Sequence, residues 1–169
     1  NITLPVMVEA GYSMSELMRA GFTLAQINAA GLLRNEPAGC TFTIVQKQVH
    51  VHGTAVQFKK KGCSAALLRA AGYNLTELKN ATYSLKALRN AGYLPSELKA
   101  QGYGVSALRE AGFRAGDLKG LFTLAQMKQG QYTALALRQA GYTLGALESV
   151  GFTPTLLRKA GYSAEELKP

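Results

Sequence analysis

The sequence predicts an all-α repeat solenoid of very short helices, with about two ten-residue repeats per coil. Three observations point there: aromatic residues return every ten positions, a Ser or Thr follows most of them, and a Leu sits four residues beyond it. Aligned on the aromatics, the chain contains AGYSMSELMR, AGFTLAQINA, AGYNLTELKN, ATYSLKALRN, AGYLPSELKA, QGYGVSALRE, AGFRAGDLKG, AGYTLGALES, VGFTPTLLRK and AGYSAEELKP. Numbering 1 to 10 from the leading Ala puts all eight Tyr at position 3: Tyr12, Tyr73, Tyr83, Tyr93, Tyr103, Tyr132, Tyr142 and Tyr162. Phe22, Phe113, Phe122 and Phe152 join them, four of the six Phe. The register runs to both ends, with a degenerate first unit at Asn1-Ile2-Thr3-Leu4 and a full last one from Ala160 to Pro169. The unit between Phe113 and Phe122 is one residue short. A period of this size marks units that bury their apolar face only by stacking on neighbours.

Each position has a local role. Ser or Thr at position 4 (Ser13, Thr23, Ser84, Thr123, Thr143, Thr153, Ser163) suits an N-cap. Glu, Gln or Asp at position 7 (Glu16, Gln26, Glu77, Glu97, Asp117, Gln126, Glu166) completes a capping box. The aromatic at 3 and the Leu at 8 then occupy N′ and N4, the hydrophobic staple pair. Pro95 and Pro154 fall at N1, where the missing N–H is not needed. Gly at position 2 supplies a left-handed C′ residue, and Lys or Arg at position 9 complements the helix C-terminus. Helices below about 12 residues are marginal alone, so stacking through the aromatic and Leu columns has to hold them. From Leu75 to Leu118 the units alternate as TELK, KALR, SELK, SALR and GDLK, which sets two repeats as one coil.

The rival architecture is a right-handed quadrilateral β-helix of the pentapeptide-repeat type. Its five-residue spacing is met by positions 3 and 8, with small residues two before each. Position 5 argues for helix: Met14, Leu24, Leu75, Leu85, Val105, Leu124 and Leu144 would face water along a β-helix. In a helix, positions 5, 8 and the next 1 form one apolar stripe.

Residues 41–62, TFTIVQKQVHVHGTAVQFKKKG, break the period and divide the chain into decapeptide repeats at 1–39, an insertion at 40–63 and further repeats at 64–169. Phe42, Ile44, Val49, Val51, Val56 and Phe58 alternate with polar residues, so the insertion is expected to be a small β-hairpin turning near His52-Gly53. Cys40 and Cys63 both occupy the aromatic column at its borders. Two readings stand: a disulfide closing the insertion, with ~3 kcal/mol from loop closure, or two buried thiols filling aromatic positions. The bond would imply an oxidising compartment.

The chemistry of catalysis is thin. There is no Trp, and only two His and two Cys. His50 and His52 share one strand face in the hairpin reading, but structural zinc wants four ligands, so no metal is expected. Ser, Thr and Glu recur at fixed positions that capping explains, not as a unique nucleophile and base in a cleft. Each Gly terminates a helix, so no phosphate loop forms and no cofactor is expected. The chain is read as not an enzyme. Apolar residues make up 47% and charged residues 17%, which suits a folded protein and not a disordered one. No apolar run approaches the roughly 20 residues of a membrane span. The sequence opens at Asn1 without a signal-like stretch, so any targeting segment is expected to lie outside it.

The net charge of +9 concentrates at position 9: Arg69, Lys79, Arg89, Lys99, Arg109, Lys119, Lys128, Arg138, Arg158 and Lys168. Stacked, these form positive ladders that would suit a polyanion such as nucleic acid, or an acidic partner. Helix-dipole pairing and solubility account for the same residues, and that reading is preferred.

Units such as AGYSAEELKP and AGFTLAQINA resemble the decapeptide repeats in the central region of the TrbI-like core component of Dot/Icm-type (type IVB) secretion systems. The resemblance covers 1–39 and 64–169. It implies a structural array in the cell envelope or periplasm, working inside a multi-subunit transport complex and carrying no catalytic residues. Similar repeats occur in other large proteins, including those of algae and large viruses. The expected function is therefore a non-catalytic scaffold contacting other protein subunits, copies of itself among them. The alternatives are a polyanion-binding rod and a self-stacking filament or virion subunit, the last suggested by ends without polar capping repeats.

Overall fold

The computed structural model describes residues 3–12, 14–32, 36, 37, 39, 40 and 54–168. Among the described residues the chain is all-helical, with fourteen short helices, no strand and one isolated bridge pair, Lys119 with Phe122. The chain divides into two compact units, Asn1–Leu94 and Pro95–Pro169.

The first unit holds α1 (Leu4–Glu9), α2 (Met14–Arg19), α3 (Leu24–Ala29), α4 (Ala55–Lys60), α5 (Ala65–Ala70), α6 (Leu75–Asn80) and α7 (Leu85–Asn90). The second holds α8 (Pro95–Ala100), α9 (Val105–Glu110), α10 (Ala115–Leu118), α11 (Leu124–Gln129), α12 (Ala134–Gln139), α13 (Leu144–Ser149) and α14 (Pro154–Lys159). Helices two repeats apart pack together: α4 on α6 and α5 on α7 in the first unit, α9 on α11, α10 on α12 and α12 on α14 in the second. Two repeats therefore make one turn of stacking within each unit.

The ten-residue period follows from backbone accounting. Positions 5 to 10 are the six helical residues of nearly every repeat. Position 4 is the N-cap: Thr54, Ser64, Asn74, Ser84, Thr123, Thr133, Thr143 and Thr153 each accept from the backbone N–H three residues on. Full capping boxes form at Thr54/Gln57, Asn74/Glu77 and Thr123/Gln126. Positions 1 to 3 close the helix as a Schellman motif. At α5, Gly72 N donates to Arg69 O (3.0 Å) and Tyr73 N to Leu68 O (3.0 Å). The aromatic is thus C″ of one helix and N′ of the next, so no residue is left over for a loop.

Position 2 takes a positive φ in the described full-length repeats, while in the short unit Gly120 does so in place of Leu121. Thr82 and Gln131 stand there in place of Gly, at φ 62° and 63°. This conformation costs a non-Gly residue roughly 1–2 kcal/mol. At both, the side-chain oxygen receives a cation from two repeats back: Lys59 Nζ donates to Thr82 Oγ1 (2.6 Å) and Arg109 Nη2 to Gln131 Oε1 (3.3 Å).

The core is the position 8 column. Leu17, Ile27, Leu68, Leu78, Leu88, Leu98, Leu108, Leu118, Met127, Leu137, Leu147 and Leu157 are all fully buried. In the first unit α1–α3 build a local core of Met14, Leu17 and Ile27, with Ala66 of α5 packed against it. There α2 packs on α7 and α3 on α5. Gly92 permits this contact, because a methyl on it would overlap Met18 Sδ.

Two expectations are corrected. The β-helix alternative fails because the repeat is helical, and the position 5 residues Met14, Leu75 and Val105 are buried. The strand expectation fails at Val56 and Phe58, which lie on α4. Thr54 and Gln57 form a capping box there, and Phe58 takes the Leu position at 1% exposure while Val56 is 43% exposed. The repeat therefore resumes at Thr54, within the segment taken as a hairpin. The rest of that segment, including Phe42, Ile44, Val49, His50, Val51 and His52, lies outside the described residues.

Leu137→Ala removes a buried column residue and is expected to destabilise the protein by about 3 kcal/mol in urea unfolding. Leu135→Ala on the same helix, at a position 46% exposed, should change stability by less than about 0.5 kcal/mol.

Candidate functional site

Seven cations of the position 9 column (Lys59, Arg69, Lys99, Arg109, Lys119, Lys128 and Arg138) reach the helix C-terminus two repeats on, where carbonyls of positions 1 and 2 are left over by the helix closure. Arg69 Nη1 donates to Ala91 O (3.0 Å) and Arg138 Nη1 to Ala160 O (2.9 Å). Arg109 Nε donates to Gly130 O (2.8 Å). Lys119 Nζ bridges Ala140 O and Gly141 O, both at 2.9 Å, and Lys128 Nζ bridges Val150 O and Gly151 O, both at 2.7 Å. Lys99 Nζ donates to Leu121 O, and Lys59 Nζ to Thr82 O.

Six of these cations also lie over the aromatic that follows those carbonyls. Arg69 Cζ is 4.1 Å from the Tyr93 ring centroid and Arg138 Cζ is 4.3 Å from that of Tyr162. Lys59, Lys99, Lys119 and Lys128 stand over Tyr83, Phe122, Tyr142 and Phe152 at 4.8–5.5 Å. Where the ring is Tyr, its hydroxyl can return the contact. Tyr83 donates to Cys63 O (2.6 Å), Tyr93 to Tyr73 O (3.3 Å) and Tyr132 to Phe113 O (2.6 Å), each one coil back. Most of these contacts are open to water, so a cation over its ring contributes about 0.5–1 kcal/mol and the clasp adds to the buried Leu column without equalling it. A cation held this way already has its acceptors.

Lys79 and Arg89 occupy the same register on α6 and α7, and Arg158 does so on α14. Lys168 follows in the last repeat and is exposed. Lys59 belongs to this column too, although the alternation in 41–62 hid it. The signal that finds it is Phe58, ten residues before Leu68, with Thr54 and Gln57 at capping-box spacing.

Cys40 and Cys63 form a disulfide, with Cα atoms 5.4 Å apart. Both are buried. Glu36, near the first of them, accepts from Ser64 N at 2.9 Å, doing for α5 what a position 7 carboxylate does elsewhere. Among the described residues no group of three His, Cys, Asp or Glu is placed to hold a metal, and no helix is long and apolar enough to cross a membrane.

Burial makes the phenols of Tyr83 and Tyr132 harder to ionise. The Tyr83 phenol is pushed up to about 12 from an ordinary 10.0, first by burial and then by the Glu36 carboxylate and Tyr73. Tyr132 is pushed up to about 12 by burial and Asp117, against a smaller opposing effect of Arg109. A raised value means that the fold holds the protonated phenol. This contribution is complete below pH 10.0 and lost as pH rises towards about 12. Denaturant midpoints should therefore stay level from neutral pH to the unfolded-state tyrosine value and fall above it. The double variant Tyr83→Phe/Tyr132→Phe should start lower and lose less of its stability on the alkaline side.

A family model described as a decapeptide repeat region matches residues 53–121 and 119–169. Neither a curated protein nor a solved structure matches the sequence. The matched segments span more than half of the chain and begin one residue before the Thr54 cap, where the helical period resumes. The chain belongs to the decapeptide repeat region family.

Proposed function

We propose that the chain is a non-catalytic scaffold, a protein-interaction array that serves as one component of a large multi-subunit assembly. The observation that carries this reading is the use made of the recurring polar residues. Position 4 and position 7 side chains cap the helices, and position 9 cations clasp the next coil. Chemistry spent in this way maintains a surface and leaves no recurring group for catalysis.

The finer reading is an envelope complex of the type IVB secretion class, in the cell envelope or periplasm. The resemblance of the repeats supports it. So does the Cys40–Cys63 disulfide, since such bonds persist where the surroundings are oxidising.

The test is cross-linking in the native cell, followed by sedimentation and mass spectrometry of the full-length protein. The expected result is a defined particle far heavier than the protein alone, with the same envelope subunits recovered each time. Sedimentation as a lone chain would contradict the scaffold reading. So would nucleic-acid binding at low salt that is lost steeply as salt rises, because this would assign the cations to a polyanion.

A further inference from the structure

We propose that the groove between α12 and α14 docks an acidic amphipathic segment of a partner protein. The inference rests on the scaffold reading and names one contact surface for it.

The groove, of about 430 Å³, runs past Tyr132, Leu135, Phe152, Leu156, Lys128 and Lys159. Its two leucines break the repeat. Leu135 stands at position 6, where the adjacent repeats carry Ala125 and Gly145 and earlier ones Thr76, Lys86, Ser96 and Ser106. Leu156 stands at position 7, the place of the capping-box partner in Gln57, Glu77 and Gln126. With Leu there, α14 keeps only the Thr153 half of the box, the hydroxyl accepting from Leu156 N at 3.4 Å. Leu135 and Leu156 are 46% and 43% exposed, while Leu137 and Leu157 on the same helices fill the core. The fold gains little from two solvent-facing leucines on adjacent helices, and one of them forfeits a helix cap. Side chains that depart from a repeat and converge on one groove are explained by what the groove receives.

The first unit supplies an internal example. Leu67 of α5 is the array's other Leu at position 7, and it is fully buried. There α3 packs on α5, and Ala66 packs against the Met14, Leu17 and Ile27 cluster. The chain that follows α3 also brings a carboxylate, Glu36, to Ser64 N. There a position 6 residue packs under short helices, with a carboxylate at the neighbouring helix cap.

Charge selects the occupant of the α12–α14 groove. Lys159 is exposed at its rim, and none of its lining residues is a carboxylate. An amphipathic helix with large apolar residues at i and i+4 and glutamates beside them matches both features.

The probe is a short fluorescein-labelled peptide with Leu and Phe at i and i+4 flanked by glutamates, titrated by anisotropy against the whole protein. Saturable binding is expected. Leu135→Asp/Leu156→Asp should weaken it at least about tenfold, and Lys159→Glu about threefold. Val56→Asp, at an exposed apolar residue of the first unit, should leave it unchanged, and circular dichroism should show all variants folded. Failure of the peptide to bind would overturn the proposal. Equal loss with Val56→Asp, or equal affinity for a peptide with lysines in place of the glutamates, would also overturn it. Self-association abolished by Leu135→Asp/Leu156→Asp would assign the groove to a second copy and overturn it too. If the native particle still assembles around Leu135→Asp/Leu156→Asp, the groove proposal falls and the scaffold reading stands. If the unaltered protein forms no particle, the scaffold reading falls with it.

Discussion

A helix of six residues leaves most of its backbone donors and acceptors without partners inside the helix. It also gains too few internal hydrogen bonds to offset the cost of nucleation. Every recurring side chain in this array answers that constraint. Position 4 takes up the donors at the start, the Schellman turn takes up part of the acceptors at the end, and a cation two repeats back takes up carbonyls that remain. Because that cation sits one coil away, satisfying one helix fastens two coils.

The aromatic column joins the two levels. Locally it packs as C″ and N′, fixing the exit and entry of the chain. Between coils it receives a cation on its face and, as Tyr, can return a hydroxyl to the carbonyl of the aromatic one coil back. Phe122 and Phe152 keep the packing and the ring face without the hydroxyl. Strain is tolerated where the clasp compensates it. Thr82 and Gln131 hold a backbone conformation suited to Gly while offering Lys59 and Arg109 a further acceptor.

Much of this was legible in the residues. The helix, its caps, the Gly at C′, the buried Leu and the two-repeat coil all follow from local preferences that agree with one another. The partner of the basic column did not follow. Sequence places Lys and Arg in the last turn of their own helix, and only stacking shows that the carbonyls they meet belong to the helix two repeats on. The stretch around Val56 and Phe58 misled for a different reason. A half-exposed Val two residues before a buried Phe reads as strand alternation unless the Thr54–Gln57 cap is weighed first. The groove leucines were visible as departures from the repeat, but the sequence alone does not show that positions 6 and 7 of neighbouring helices meet.

That cross-coil clasp is tested most directly by a double-mutant cycle on Arg138 and Tyr162, whose guanidinium carbon and ring centroid lie 4.3 Å apart. Arg138→Met, Tyr162→Leu and the double variant would be compared by urea unfolding. The clasp predicts a coupling of about 1 kcal/mol between the two sites. Losses that simply add, to within about 0.3 kcal/mol, would show that the cation and the ring act independently and would contradict the clasp.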